Sequence, residues 1–360
     1  MPAKKELDVW ISGQAGSNIG RWFIFGADNL NQNVLTQLQE NYHHYAQTHS
    51  QPNRNIKLPS TLGIERAGDE LRLQLSARSV TANMQTDAAA VEAWAFVLRL
   101  WLGKESVRRI VVDWEAPPKP HDGHYERFLY RVAQFQSLFP DWFEVADPRK
   151  LAMRRTLTEQ SLILNVASGK TTSSPKTTSP EYKLESELIA SEPFRRHFGL
   201  KAGLVDRQFP VGLFANTVSA KTHVFTGGKS AIDIVGLGED GRFFIFELEA
   251  GGNISVGTLS ELLLYTGLIR EAAQNPPRIR FGSAKLGSRA CVHPHHVQHC
   301  TGIAAVMLAE NLHPLLEHPE LLPALNSAAE ARWNCVPGAK PVCFSKALIG
   351  DFRKTAKANA

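Results

Sequence analysis

Three carboxylates lie close together in the sequence, on two neighbouring strands that the sequence predicts. Asp233 follows a short apolar run, an Asp-Gly turn at 240–241 comes next, and the apolar run FFIF then leads to Glu247 and Glu249. Side chains alternate between the faces of a strand, so Glu247 and Glu249 share one face with Phe243 and Ile245. Two acidic groups on one face, with a third on the next strand, form a set of oxygen ligands that suits a divalent cation.

The second of these strands carries apolar residues on both faces, which is typical of a covered strand at the centre of a sheet. An unpaired carboxylate is costly at such a position, and a bound cation would neutralise it. A bound Mg²⁺ also lowers the pKa of its water, so the pattern points to metal-assisted hydrolysis.

These residues resemble the PD-(D/E)xK nuclease superfamily, in which one core strand carries an Asp and the next carries Glu-x-Lys. Asp233 and Glu247 match the two acidic positions, and the following GTLSELLLYTG resembles the family's helix, with Glu261 as its polar residue near the site. The family's upstream helix usually adds another Glu. In YKLESELIASEPF this is Glu185 rather than Glu187, because Leu188 completes a Glu-x-x-Leu pattern.

The departure from the family is Glu249, which occupies the position of the usual Lys. That Lys orients or activates the attacking water and stabilises negative charge. A Glu cannot stabilise negative charge, but it can act as a general base or join the metal ligands. The resemblance therefore implies four candidate catalytic residues: Glu185, Asp233, Glu247 and Glu249.

The resemblance also implies a mechanism, the hydrolysis of phosphodiester bonds with Mg²⁺ or Mn²⁺. Asp233 and Glu247, with a backbone carbonyl of residue 248 or 249, would hold one ion, and Glu185 would hold a second ion or its water. Two other interpretations stay open. In one, Glu249 marks a nuclease core that has lost catalysis and binds nucleic acid or a partner as a regulatory or assembly subunit. In the other, the acidic cluster is incidental to an interaction protein.

A segment at 168–180 divides the chain, because SGKTTSSPKTTSP has no side chain that builds a core. The expected organisation is an α/β domain over 1–167, this linker, and a nuclease-like domain over 181–350. Within 181–350 the predicted order is helix, three strands, helix, strand, which the superfamily uses. The expected fold class is α/β, with a C-terminal restriction-endonuclease-like core, a mixed sheet flanked by helices, after a separate α/β domain.

The first 165 residues also alternate predicted strands and helices, which favours an α/β domain. The predicted strands are LDVWIS, RWFIFG, LRLQLS, RRIVVDW and SLILNVA, and the predicted helices are NQNVLTQLQENYHHYAQ, DAAAVEAWAFVLRLWLG and HYERFLYRVAQFQSLF. The Gly-rich SGQAGSNIG lacks the ending of a Walker loop and the spacing of a Rossmann turn. Recognition of the target, regulation and dimerisation all remain open for this part.

The formal net charge of +5 is mild, so a polyanionic partner has to be argued from local clusters. Four basic residues crowd the segment after the predicted helix: Arg278, Arg280, Lys285 and Arg289. The expected partner is nucleic acid, DNA rather than RNA, with a homodimer as a further possibility. The sequence predicts neither a membrane span nor a signal peptide, and the expected location is the cytoplasm, with a role in bacterial defence or DNA processing.

The segment CVHPHHVQHC offers ligand types that zinc prefers, in Cys291, His293, His295, His299 and Cys300. Its spacing fits no standard Cys2His2 pattern, and a histidine-rich loop is the favoured interpretation.

Overall fold

The structure, a computed structural model, describes residues 27–119, 122–165, 180–226, 230–251, 255–282 and 290–352. These residues form a mixed α/β fold with three mixed sheets and helices packed on them. No helix in these ranges is both long enough and apolar enough to cross a bilayer. The predicted strands at 7–12 and 21–26, the Gly-rich segment at 12–20 and most of the predicted linker lie outside the described residues.

The elements before the predicted linker are α1 (Ala27–Thr48), β1 (Leu62–Ala67), β2 (Glu70–Leu75), α2 (Ala77–Val80), α3 (Val91–Leu102), β3 (Arg109–Trp114), α4 (Gly123–Leu138), β4 (Phe143–Val145), α5 (Arg149–Ala152), α6 (Arg155–Thr158) and β5 (Leu162–Asn165). Strands β1 to β4 form one sheet in sequence order. The β1–β2 hairpin turns through Gly68, whose φ of 65° glycine adopts without strain. The predicted helices around residues 31, 91 and 124, and the predicted strands around 71 and 109, are confirmed.

The elements after it are α7 (Pro180–Ala190), α8 (Glu192–Phe198), β6 (Leu200–Pro210), β7 (Gly212–Ala215), β8 (Ala231–Gly238), β9 (Phe243–Glu249), α9 (Gly257–Ala273), β10 (Ile279–Phe281), α10 (Pro294–Gln298), β11 (Ile303–Ala309), α11 (Leu321–Ala329) and β12 (Val342–Leu348). Helix α11 continues into a π-helical turn, Glu330–Asn334.

The five-stranded sheet has the order β12-β11-β9-β8-β6, so β9 lies at its centre as its apolar residues predicted. Strand β8 is antiparallel to both of its neighbours, β6 and β9. Strand β11 is parallel to both of its neighbours, β9 and β12. Phe243 and Ile245 belong to the core beneath α9, whereas Phe244, Phe246 and Leu248 belong to the core beneath α7 and α8. The predicted alternation of faces along β9 is therefore confirmed.

The three-stranded sheet joins the parts of the chain before and after the predicted linker. Strand β5 lies at its centre, parallel to β10 and antiparallel to β7. Helix α4 packs on α9, and one continuous apolar core includes residues from Val34 to Phe344. The division into domains 1–167 and 181–350 stays a prediction. The described residues of both parts contribute to this one core.

Candidate functional site

Asp233 and Glu247 face each other across the β8–β9 pair. Ile234 pairs with Phe246 in this antiparallel ladder, which places the preceding Asp233 opposite the following Glu247. Residues directly opposite on antiparallel strands point to the same face of the sheet, so the two carboxylates share the face that α9 covers. The Leu248 N–H donates to Asp233 Oδ2 at 3.0 Å, which fixes the orientation of that carboxylate.

Glu247 is the most deeply buried carboxylate of this group. It is 2% exposed, and its Oε1 has no hydrogen-bond partner among the described residues. Burial, and then the neighbouring charge of Asp233, raises the pKa of Glu247 well above its ordinary value. Because an ionised carboxylate is strongly disfavoured in such surroundings, Glu247 either keeps a proton or receives a cation.

Helix α7 adds two carboxylates on one face, one helical turn apart. Single ligand oxygens of Glu181, Glu185 and Asp233 all lie within 4.8 Å of one another, a spacing at which the three could hold one metal ion. Glu185 is buried, Asp233 is half-buried and Glu181 is exposed, so the group reaches from the interior to solvent. Glu187 is exposed and is not in this group. The sequence analysis missed Glu181, although its i, i+4 spacing from Glu185 is a signal that finds it.

Glu185 is held by two residues of the edge strand β6. Gln208 Nε2 donates to Glu185 Oε1 at 2.8 Å, and Arg207 Nη1 lies 3.5 Å from Glu185 Oε2. Gln208 has a φ of 54°, in the left-handed region that a residue with a side chain rarely adopts. Strained backbone of this kind concentrates at functional sites, where the surrounding structure enforces it.

Glu249 and Glu261 complete the acidic cluster, which we define as Glu181, Glu185, Asp233, Glu247, Glu249 and Glu261. Thr258 Oγ1 donates to Glu249 Oε1 at 2.8 Å, which ties the end of β9 to the first turn of α9. Burial raises the pKa of Glu249 to about 7, against the lowering effect of Thr258. Burial and then the charge of Glu249 raise the pKa of Glu261 to about 8, against the lowering effects of Arg127 and Arg131.

Comparison with family models, with curated proteins and with solved structures finds no match to this chain. The function of the acidic cluster is therefore argued from its own chemistry. Its ligands are all carboxylate oxygens, which suit the hard cations Mg²⁺ and Mn²⁺ and lack the thiolate and imidazole ligands that dominate zinc sites. A bound cation would offset both the burial and the mutual repulsion that favour the protonated form of these carboxyls.

Two of the predicted nucleic-acid residues, Arg278 and Arg280, follow the far end of α9. The guanidinium of Arg278 already forms an ion pair and a hydrogen bond within the chain. Its Nη1 lies 3.3 Å from Glu271 Oε1, and its Nη2 donates to the Thr156 carbonyl at 3.1 Å. Arg280 is exposed on β10. Ten helical residues separate Glu261 from Glu271, or about 15 Å, so these arginines could contact only phosphates several nucleotides from the acidic cluster. Lys285 and Arg289 lie outside the described residues.

The histidine-rich segment forms part of α10 and its flanks. Cys300 is buried and Cys291 is exposed. His293 precedes the helix, and His296 Nδ1 accepts from the His293 N–H at 2.9 Å. In the part of the chain that the structure describes, the acidic group on α7 and β8 is the one cluster of three metal ligands, so the five cysteine and histidine positions do not form another.

Proposed function

We propose that this chain is a metal-dependent nuclease that hydrolyses phosphodiester bonds, with DNA as the expected substrate. The observation that carries the proposal is the convergence of Glu181, Glu185 and Asp233 beside the buried Glu247, whose Oε1 has no hydrogen-bond partner in the described residues. A buried acidic cluster is unfavourable without cations, and a hydrolase that uses Mg²⁺ requires such oxygen ligands.

The order of elements supports the same proposal. Along the described part of the second half, the helices α7 and α8 are followed by β6, β8 and β9, and then come α9, the short α10 and β11; these four strands are adjacent in one sheet. This is the helix, three strands, helix, strand order that the sequence resemblance implies for a restriction-endonuclease-like core. Strands β7 and β10 are additions to this order, and both belong to the three-stranded sheet around β5.

In the proposed mechanism, Asp233, Glu247 and Glu185 would hold the cation, together with the exposed Glu181. When bound, such a cation would supply a water of lowered pKa and would stabilise charge on the phosphate. Glu249 would accept the proton of the attacking water, because burial raises its pKa to about 7, a value that suits a general base near neutral pH. Thr258 keeps this carboxylate oriented through its hydrogen bond.

The test is cleavage of labelled single- and double-stranded DNA and RNA in Mg²⁺, Mn²⁺ or EDTA. Glu247→Gln keeps the size of the side chain but removes a charged ligand, and we expect it to reduce cleavage by more than about 100-fold. Glu187→Gln, on the same helix as Glu185 but exposed, is the matched control and should cleave at the parental rate. Cleavage that persists in EDTA, or in Glu247→Gln, would refute the proposal.

A second candidate function is a nuclease fold that binds nucleic acid or a partner without cutting it. The observation that favours it is Glu249, a carboxylate where the resemblance calls for Lys. In this case the parental chain binds DNA or RNA in EDTA, does not cut it with either metal, and loses binding when Arg280 is changed to Gln.

A further inference from the structure

We propose that Arg207, on the edge strand β6, binds a phosphate group of the nucleic acid at the acidic cluster. The inference rests on the proposed nuclease function and deepens it, because it gives the substrate a contact beside the residues that would hold the metal ion. It also differs from the expectation drawn from the sequence, which placed the phosphate contacts in the basic segment that begins at Arg278.

The acidic cluster by itself repels the substrate that it is proposed to cleave. Every member of the cluster is a carboxyl group, and every phosphodiester of a nucleic acid carries a negative charge. A bound cation offsets part of this repulsion, and a fixed positive charge beside the ion offsets more of it. Among the residues that the structure describes, Arg207 is the one basic side chain that forms an ion pair with a member of the cluster, Glu185.

Contacts with helix α7 fix the position of the Arg207 side chain. Its Nη1 lies 3.5 Å from Glu185 Oε2, and its Nη2 donates to the Tyr182 hydroxyl at 2.5 Å. The guanidinium carbon also lies 3.8 Å from the centre of the Tyr182 ring, in a cation–π arrangement. The guanidinium is therefore held in place before a ligand arrives, and binding a phosphate costs little further side-chain entropy.

The orientation of Glu185 depends more on Gln208 than on Arg207. Neighbouring residues of a strand normally point to opposite faces, yet both of these side chains contact Glu185, and the left-handed φ of 54° at Gln208 breaks the alternation there. Gln208 Nε2 donates to Glu185 Oε1 at 2.8 Å, whereas the 3.5 Å contact of Arg207 is long for a hydrogen bond. Arg207 is therefore paired only loosely and can turn part of its fork to another anion.

The Arg207 guanidinium is accessible from solvent. Its side chain is 23% exposed, whereas that of Glu185 is 4% exposed. Strand β6 is the outermost strand on this side of the five-stranded sheet, so a ligand can approach along it. A guanidinium has more N–H groups than the contacts with Glu185 and Tyr182 use, and its planar fork matches two oxygens of one phosphate.

The salt dependence of nucleic-acid binding tests this contact. The probe is the labelled nucleic acid that the parental chain cleaves, and fluorescence anisotropy follows its binding in EDTA, where it stays uncut. Each phosphate neutralised by a basic side chain contributes about 0.9 to the slope of log K against log salt concentration for duplex DNA, and about 0.7 for a single strand. We expect Arg207→Gln to lower the slope by about this amount and to weaken binding on the order of 10-fold at low salt. Arg207→Lys keeps the charge and should keep the slope.

Two control variants separate a phosphate contact from structural effects. Gln208→Met removes the closer hydrogen bond to Glu185 without a change of charge, so it should slow cleavage and leave the slope unchanged. Arg155→Gln removes an arginine of matching exposure, 24%, that is ion-paired with Glu159. Arg155 is next to Thr156, whose carbonyl binds Arg278 beyond the far end of α9, so this variant should keep the parental slope and the parental cleavage rate.

The outcomes separate the inference from the function on which it rests. If the parental chain cleaves no nucleic acid with Mg²⁺ or Mn²⁺, the proposed function fails, and the phosphate contact fails with it. If the parental chain cleaves and Arg207→Gln keeps the parental slope and affinity, the contact is refuted while the function stands. An equal fall in slope for Gln208→Met would also overturn it, because the effect would then follow from Glu185.

A measurement on the parental chain decides if Arg207→Gln does not fold. Phenylglyoxal modifies accessible guanidinium groups, and mass spectrometry of the digested chain locates the modified arginines. Bound nucleic acid in EDTA should slow the modification of Arg207 and leave that of Arg155 unchanged, since the two side chains are equally accessible in the free protein. Equal modification of Arg207 with and without bound nucleic acid would overturn the inference.

Discussion

Raising the pH should destabilise the metal-free protein, because folding keeps protons on the acidic cluster. The pKa values of Glu249 and Glu261 are raised to about 7 and about 8, from an ordinary value near 4.5. The folded state therefore binds more protons than the unfolded state above pH 4.5. The stability associated with these protons is complete below pH 4.5 and is lost as the pH rises through 7 and 8.

The expected loss between pH 7 and pH 8.5 follows from the two pKa values and 1.36 kcal/mol per proton and pH unit. Glu261 contributes about 1 kcal/mol and Glu249 less than that, so the total in this window is on the order of 1–2 kcal/mol. An unfolding entropy of about 0.75 kcal/mol/K for 360 residues converts this into a fall of about 2 °C in melting temperature. Asp233 and Glu247 shift in the same direction, so the figure is a lower bound.

Differential scanning calorimetry in EDTA at pH 7.0, 7.5, 8.0 and 8.5 measures this fall, in a window where histidines with lowered pKa values contribute little. Glu261→Gln should reduce the loss by about 1 kcal/mol, since the variant has no carboxyl to ionise there. Added Mn²⁺ should stabilise the protein more at pH 8.5 than at pH 7, because fewer protons have to be displaced. A melting temperature in EDTA that is constant or rises over this range would refute the reasoning.

Two further predictions concern buried contacts made by the part of the chain before the predicted linker. Gly257→Ala should cost about 1–3 kcal/mol of stability, because the new Cβ would lie 2.8 Å from Ser255 Oγ and 3.0 Å from two carbonyl oxygens. Gly63→Ala is the control and should be tolerated, because its new Cβ would meet no atom closer than 3.5 Å. Chemical denaturation measures the free energy of unfolding of both variants. Arg131→Met should cost about 3–5 kcal/mol in the same assay, because it leaves Glu92 buried without its partner. The double variant that also carries Glu92→Leu should recover most of this loss. A double variant in which the two losses simply add would contradict the prediction.

The sequence predicts local features of the second half of the chain well. Strands β8 and β9 were predictable because a turn signal separates two apolar runs, and the alternation along β9 follows from strand geometry alone. That alternation is enough to place Glu247 and Glu249 on one face. The opposition of Asp233 and Glu247 follows once the hairpin is assumed, since the register of a hairpin is set by its turn.

The contribution of the first half of the chain was not predictable in this way. Asp87 lies in an ordinary polar segment, and no local signal predicts that its carboxylate accepts hydrogen bonds from Ser255 and Val256 at the start of α9. The strand β5 was predicted as a strand, but its partners β7 and β10 come from distant parts of the sequence. Tertiary packing decides such pairings, and a single sequence does not encode them in any short window.

The central position of β5 has a consequence for how the protein folds during synthesis. Its parallel partner β10 leaves the ribosome roughly 115 residues after β5, which at about 5–20 residues per second is about 6–23 s later. During that interval Leu162 and Leu164, which are buried in the finished protein, lack a complete sheet to cover them. The nascent first half therefore passes through a stage at which an apolar strand is exposed, and chaperones that bind such strands have their main opportunity there.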